Sequence, residues 1–357
     1  MHRSLYPLTA ASLALGLLAG APSAHAQSAI LNLPRVSQHA LVSQRVGITD
    51  ITIDYHRPLV DGRQVFGGLQ AWGQVWRAGA NENTVIRFGD PVTVDGHALP
   101  AGAYGLHMIP GKTSWIVIFS KNSTSWGSFT YTEAEDALRV TVEPRASPHQ
   151  EALTYEFDQP TPTSAIVTLR WAEIAVPFTI NVDTPAIVER SLRDQLRARA
   201  QFEWQPWMEA ADYLLANGRS AEEAANDAKQ SIAVEDRFEN EITLSRALTK
   251  LGRADEARAA RTRALGMASQ AQVHTFARTL QGQGLKSEAL DLFRENIKKD
   301  PASWTAHNEA ARLAAAAGDF ATAVKEMKLA LQLSPQPLRD QHADLVRRLE
   351  KRDDINR

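Results

Sequence analysis

At Asp183-Thr184-Pro185 the hydrophobic period of this 357-residue chain switches from two residues to helical spacing, and one layer of secondary structure cannot serve both periods. Before the switch, from about Ser37 to Val182, the stretches 51–55, 84–88, 91–96, 103–109, 114–119, 138–144, 153–157, 165–171 and 176–182 alternate and are rich in Val, Ile, Thr and aromatic residues. Asp95-Gly96, Pro100-Ala101-Gly102 and Pro110-Gly111-Lys112 separate some of them with turn chemistry. No helical pattern lies between the stretches, so crossover-linked parallel strands are disfavoured and an all-β antiparallel sandwich is predicted. After the switch, Thr184 is expected to cap a helix opened by Pro185, and Ala, Leu, Arg and Glu dominate to the last residue.

The helical part repeats. Gly218, Gly252, Gly284 and Gly318 are spaced by 34, 32 and 34 residues. Ala257, Ala289 and Ala323 follow the last three glycines by five residues, and Leu265, Ile297 and Leu331 follow by thirteen. Pro301 and Pro335 close the last two units, and Ala224 and Ile232 fit the first with one extra residue. A glycine ends one helix, an alanine lets the next pack close, and a proline stops the pair. Over residues 202–335 this resembles the tetratricopeptide repeat, a helix–turn–helix unit that stacks into a solenoid. The Trp and Leu-Gly-Tyr signature of the first helix is missing, so the units are divergent. The expected architecture is a β-sandwich over 30–183 followed by an all-α repeat array over 184–357 that docks a protein partner.

Charge narrows the function classes. Residues 27–183 carry 11 Lys/Arg against 15 Asp/Glu, and residues 184–357 carry 27 against 26. Neither half supplies the basic field that a phosphate backbone needs, so no nucleic-acid partner is expected. The first 26 residues have a basic start, an apolar run from Leu8 to Ala21 and an Ala24-His25-Ala26 end, which reads as a signal peptide cleaved after Ala26. The apolar run is too short to span a bilayer, so a periplasmic or extracellular protein is predicted. The chain has no cysteine, which excludes disulfides, thiolate metal sites and a lipid-anchor cysteine.

Familiar catalytic signatures are missing. Residues 105–113 suggest a phosphate loop, but five residues rather than four separate Gly105 from Gly111-Lys112, and the stretch joins two strands. His39, His56, His97, His107, His149, His274, His307 and His342 show no metal-ligand spacing, so no metal or cofactor is expected. The densest polar stretch is residues 75–88, with Trp76, Arg77, Asn81 and Glu82 beside a strand. One reading is a structural loop in which Arg77 pairs with Glu82 over a buried Trp76. The other is a ligand site completed by His56, Arg63 and Trp72 from a long strand-poor insertion, by Lys121 and Trp126 from a later loop, and by His107. On strand 103–109 Tyr104, Leu106 and Met108 share the core face, leaving His107 on the other beside Gly105, where there is room for a ligand or another backbone.

Residues 55–69, 75–84, 99–111 and 126–144 resemble a secreted bacterial family known only as domain of unknown function 2911, over about residues 30–183. The resemblance implies export and this type of module, but no activity, substrate or cofactor. The expected function is binding: a small or polymeric oxygen-rich ligand (glycan, peptide or small molecule) at the loop cluster of the sandwich. A hydrolase with Glu82 or His107 as general acid/base, and Arg77 and Lys121 stabilising negative charge, is the alternative. A purely structural envelope protein is the third.

Overall fold

The computed structural model describes residues 34–356; the expected signal peptide, residues 1–26, lies outside them. Ten strands form two antiparallel sheets. The first has the order β1 (Gln38–Val46), β2 (Thr49–Arg57), β3 (Val85–Phe88), β6 (Gly102–Ile109), β7 (Trp115–Ser120) and β8 (Asp136–Val142). The second runs β5 (His97–Leu99), β4 (Val92–Val94), β10 (Ser164–Asn181) and β9 (Arg145–Asp158). The inward residues of both sheets, among them Ile51, Ile53, Tyr104, Leu106, Met108, Trp115, Phe119, Leu169, Trp171 and Phe178, join in one buried cluster, which makes the pair a sandwich.

Two features escape the alternating pattern. β1 and β5 are strands that the pattern does not single out; Leu41 in β1 is 59% exposed, so an edge strand with little apolar signal completes the sheet. The stretches 165–171 and 176–182 are a single long strand, β10, kinked where Ala172 adopts φ 52° and its register against β9 shifts.

Ten helices follow: α1 (Thr184–Gln195), α2 (Trp204–Ala216), α3 (Ala221–Val234), α4 (Phe238–Lys250), α5 (Ala254–Met267), α6 (Gln270–Gly282), α7 (Lys286–Asn296), α8 (Trp304–Ala316), α9 (Phe320–Leu333) and α10 (Arg339–Glu350). The pairs α2–α3, α4–α5, α6–α7 and α8–α9 pack as antiparallel hairpins in a tetratricopeptide-like array. Their turns sit at Gly218, Gly252, Gly284 and Gly318, all in the left-handed region (φ 63° to 82°) that an L side chain resists. Ala224, Ala257, Ala289 and Ala323 are buried, as close helix packing requires.

The junction corrects one expectation. Asp183, not Thr184, caps α1: its carboxylate accepts from Ala186 N at 3.2 Å, while Thr184 Oγ1 donates to Pro162 O at 2.9 Å and Pro185 sits in the first turn. α1 serves both halves. Ile187 belongs to the sandwich cluster, whereas Glu189 takes Arg219 (2.5 Å) and Arg193 takes Glu223 (2.8 Å) from the first hairpin. No helix among the described residues is long and apolar enough to cross a membrane.

Candidate functional site

Local backbone chemistry distributes the polar crowd of residues 75–88. Trp76 exchanges two 2.8 Å backbone hydrogen bonds with Met108, which turns its indole into the core, stacked on Trp171 at 5.6 Å. There its indole N–H donates to Gly79 O. Ala78 and Asn81 take left-handed φ values of 49° and 59°. The Ala78 carbonyl is held by Tyr155 (2.8 Å) and Thr84 (3.2 Å), and such bonds must offset the roughly 1–2 kcal/mol cost of that conformation for an L-residue. These turns send Arg77 and Glu82 to different places. The expected Arg77–Glu82 pair does not form. Arg77 donates to Asn81 O at 2.9 Å and lies 5.8 Å from the Phe129 ring, in space left by Gly127.

His107 lies on its expected face beside Gly105, opposite Leu106 and Met108, and another backbone takes the room there. Residues 121–131 cover it, leaving it 2% exposed. Its Nδ1 shares a hydrogen bond with Ser128 Oγ (2.9 Å), and Tyr131 lies against the ring. Gly105 makes room for that covering loop: a Cβ there would meet Asn122 O at 2.4 Å. Asn83 ties the loop down through its own N–H to Ser125 O and its side-chain amide to Asn122 O. Burial lowers the His107 pKa to about 4, so the ring is neutral near pH 7.

Glu82 instead faces β1 and β2. Arg35 Nη1 donates to both of its carboxylate oxygens at 2.7 and 2.8 Å, and His56 Nε2 lies 3.4 Å from Oε2. Strand register places His39 directly across from His56, with the rings edge-on at 5.4 Å, and His39 Nε2 meets Asp54 at 2.8 Å. Pro34, Arg35, Ser37, Gln38, His39, His56 and Glu82 line an open cavity of about 360 Å³. Arg35 also lies 5.7 Å from the half-exposed Trp126 ring, and Asn81 donates to Ser37 O, so each touches a residue of the cavity wall. Burial lowers the His56 pKa against the opposing pull of Glu82. Burial alone would raise Glu82; the Arg35 hydrogen bonds, a backbone bond and the His56 and Arg35 charges bring it below its ordinary value. Near neutral pH the site therefore holds an anionic Glu82, a neutral His56 and a cationic Arg35. It offers donors and acceptors together, and a carboxylate held ionised is a poor general acid.

The remaining expected site residues lie elsewhere. Arg63 and Trp72 line a second open cavity, of about 390 Å³, with Phe66, Ala172 and Glu173, and Arg63 is spent on Val60 O and Leu59 O. Lys121 is exposed on the covering loop. Of the acid/base and anion-stabilising groups expected of a hydrolase, Glu82 lines the Arg35–His56 cavity and His107, Arg77 and Lys121 do not, and Trp76 and His107 are closed to solvent. Sequence reading missed Arg35, His39 and Asp54. The available signal was faint: Ala40, Val42 and Val46 recur at even positions of residues 38–46, but the exposed Leu41 among them masks the alternation that would have marked β1 as a strand and set His39 across from His56. No group of three or more His, Asp or Glu among the described residues is placed to hold a metal ion.

Residues 37–180 match the model of the family described as a protein of unknown function (DUF2911), so the resemblance read from the motifs holds across the sandwich. No curated protein matches the chain. Among solved structures it is similar to the crystal structure of MamA, at 16% identity over 44% of this chain and 89% of that one, with a TM-score of 0.27. YrrB, described as a TPR protein with an unusual peptide-binding site, is similar at 17% identity over 45% and 84%, TM-score 0.24. The Cut9–Hcn1 APC/C hetero-tetramer is similar at 15% over 48% and 33%, TM-score 0.26. The repeat assignment itself stands on the glycine turns and paired helices described above.

Proposed function

We propose that this chain is an exported binding protein of two units. The sandwich, residues 30–183, holds a small or polymeric oxygen-rich ligand in the Arg35–His56–Glu82 cavity, and the array, residues 184–357, docks a protein partner. The observation that carries the ligand reading is the cavity itself. A guanidinium, a carboxylate and two imidazoles line one open volume, with Trp126 beside its Arg35 to stack on a ring or sugar face. Tetratricopeptide-like hairpins commonly mediate protein–protein contacts, and this supports the docking role.

Glu82→Gln separates ligand binding from a structural staple. Arg35 and Glu82 keep 33% and 40% of their side-chain surface exposed, so losing the pair should cost only about 0–1 kcal/mol. Thermal-shift measurements on the full chain with short neutral and acidic oligosaccharides and dicarboxylates should find a stabilising compound. Glu82→Gln and His56→Ala should each abolish its shift while leaving the unliganded melting temperature within a few degrees. A drop of several kcal/mol on Glu82→Gln, with no compound shifting the native chain, would make the pair a staple for residues 34–38 and remove the ligand site.

A further inference from the structure

Six residues before each turn glycine, the first helix of each hairpin carries Asp212, Arg246, Arg278 and Arg312 in turn. Asp212 and Arg246 satisfy each other at 2.9 Å. Arg312 instead donates to Ile355 O and Arg348 of α10 to Asp354 O, while Arg278 bonds Gln281, which holds Asn356; repulsion among the three adds to burial in lowering the pKa of Arg278 and of Arg312. What lies on them is the chain's own segment after α10, residues 351–356, with the sequence Lys-Arg-Asp-Asp-Ile-Asn.

That segment is seated as a peptide ligand would be. Arg352 takes a left-handed φ of 60° and Asp353 N returns to Arg348 O, which reverses the chain out of α10. Ile355 is buried with Ala311, Ala315 and Leu349 in the last apolar cluster. Its carbonyl accepts from Arg312 Nη1 at 2.6 Å. The Asn356 amide then reads the groove in both directions, donating to Arg312 O at 2.9 Å and accepting from Gln281 at 2.8 Å. Arg348 donates to Asp354 O, and Lys286 Nζ lies 3.9 Å from the Asp354 carboxylate. Helices α6, α8 and α10 therefore all hold one short segment, through one apolar anchor, backbone carbonyls and the Asn356 amide. Only Ile355 contributes a buried apolar side chain, so most of the hold is hydrogen bonding that another peptide backbone can reproduce. Arg312 gives Nη1 to Ile355 O, so an empty groove would leave that donor without its partner, which favours an occupant.

We infer that this arginine-lined surface is the array's partner site, that its ligand is a peptide carrying an aspartate, then an aliphatic anchor, then an amide side chain, and that residues 352–356 occupy it as a resident competitor. The inference rests on the docking role proposed above and adds its place, its ligand chemistry and its self-inhibition.

The probe is a fluorescent peptide with the sequence of residues 351–356, read by anisotropy against the full chain. The double variant Ile355→Ala, Asn356→Ala should bind it at least tenfold more tightly than the native chain, because the competitor has been weakened. Adding Arg312→Gln to that variant should abolish binding with the helical circular dichroism retained. A peptide with both aspartates changed to asparagine keeps only its two basic side chains, so it should bind several-fold more weakly, and added salt should strengthen rather than weaken what binding remains. Equal binding to native and double-variant chains, or no binding to a helical double variant, would overturn the proposal. If the double variant loses helix, recovery on adding the peptide supports the proposal and failure to recover overturns it. A partner that crosslinks to the array of the native chain while the peptide ignores the opened variant would leave docking standing and remove this surface.

Discussion

In the sandwich, one cluster of buried side chains reaches from Val46 to Ile187 and is built on Trp76, Trp115, Phe119, Trp171 and Phe178. In the array the described apolar interior falls into three clusters, made mostly of alanine and leucine with a few phenylalanines. Polar burial is divided the same way. Glu241, Glu309 and Arg312, the acidic and basic residues buried among those described, all belong to the array, whereas the sandwich buries groups such as Thr84, Asn83 and His107. Small side chains let helices approach closely but bury little area each, so hydrogen-bonded polar groups help to set the register between hairpins. The sandwich is built to fail as a whole. The array is built from neighbours that can fail in turn.

Removing the largest shared side chain should strain that comparison most. Trp171 is fully buried and stacked on Trp76. Trp171→Ala should cost about 3–5 kcal/mol, lowering the β-sheet transition in denaturant while the helical signal at 222 nm persists to its native midpoint. A single shared midpoint for both signals would show that α1 couples the two interiors into one cooperative unit.

Acid and base should act on the two halves with opposite sign. His107 has a native pKa near 4, below the ordinary 6.5, so its contribution is complete above pH 6.5 and is lost as pH falls to about 4. Glu309 is the reverse. Burial raises it to about 8, and His274 beside it, lowered to about 3, is neutral, so their 3.1 Å contact joins two uncharged groups rather than an ion pair. The Glu309 contribution is complete below its ordinary value of 4.5 and is lost as pH rises toward 8. These changes are on the order of 3–5 kcal/mol, the larger for Glu309. His107→Gln should flatten the acid side of the sheet transition, and Glu309→Gln the alkaline side of the helical one; slopes that survive these changes would assign the linkage to other groups.

The smallest effect should be the most local. Ala289 is fully buried, and Ala289→Phe should cost about 1–3 kcal/mol by overpacking the α6–α7 hairpin, with the sheet transition unmoved. A neutral result in urea melts would mean that the repeats yield where the alanines meet them.

Legibility followed the same division. The hairpin turns could be read from single residues, because a glycine at φ 63° to 82° answers a requirement of the backbone itself. Strands with an inward aromatic or β-branched face were equally plain. β1 was not, because an edge strand with Leu41 exposed carries little alternation, and with it went the pairing of His39 with His56. In the candidate site, His56 and Glu82 were legible as polar residues near each other in a loop-rich region. That Glu82 would choose Arg35 over Arg77 was not, because two left-handed residues, Ala78 and Asn81, decide which way each side chain leaves the loop.

The sequence by itself determined the two periods, the place where they meet and the spacing of the hairpins. These are properties of local backbone preference and of burial along one face, which neighbouring residues specify among themselves. Tertiary structure alone decided that residues 121–131 close over His107, that Arg35 reaches Glu82 across 47 positions, and that residues 352–356 fold back onto Arg312. Such pairings depend on which of several polar partners is nearest once the chain is packed, and a charge or an amide carries no mark of that choice in the sequence.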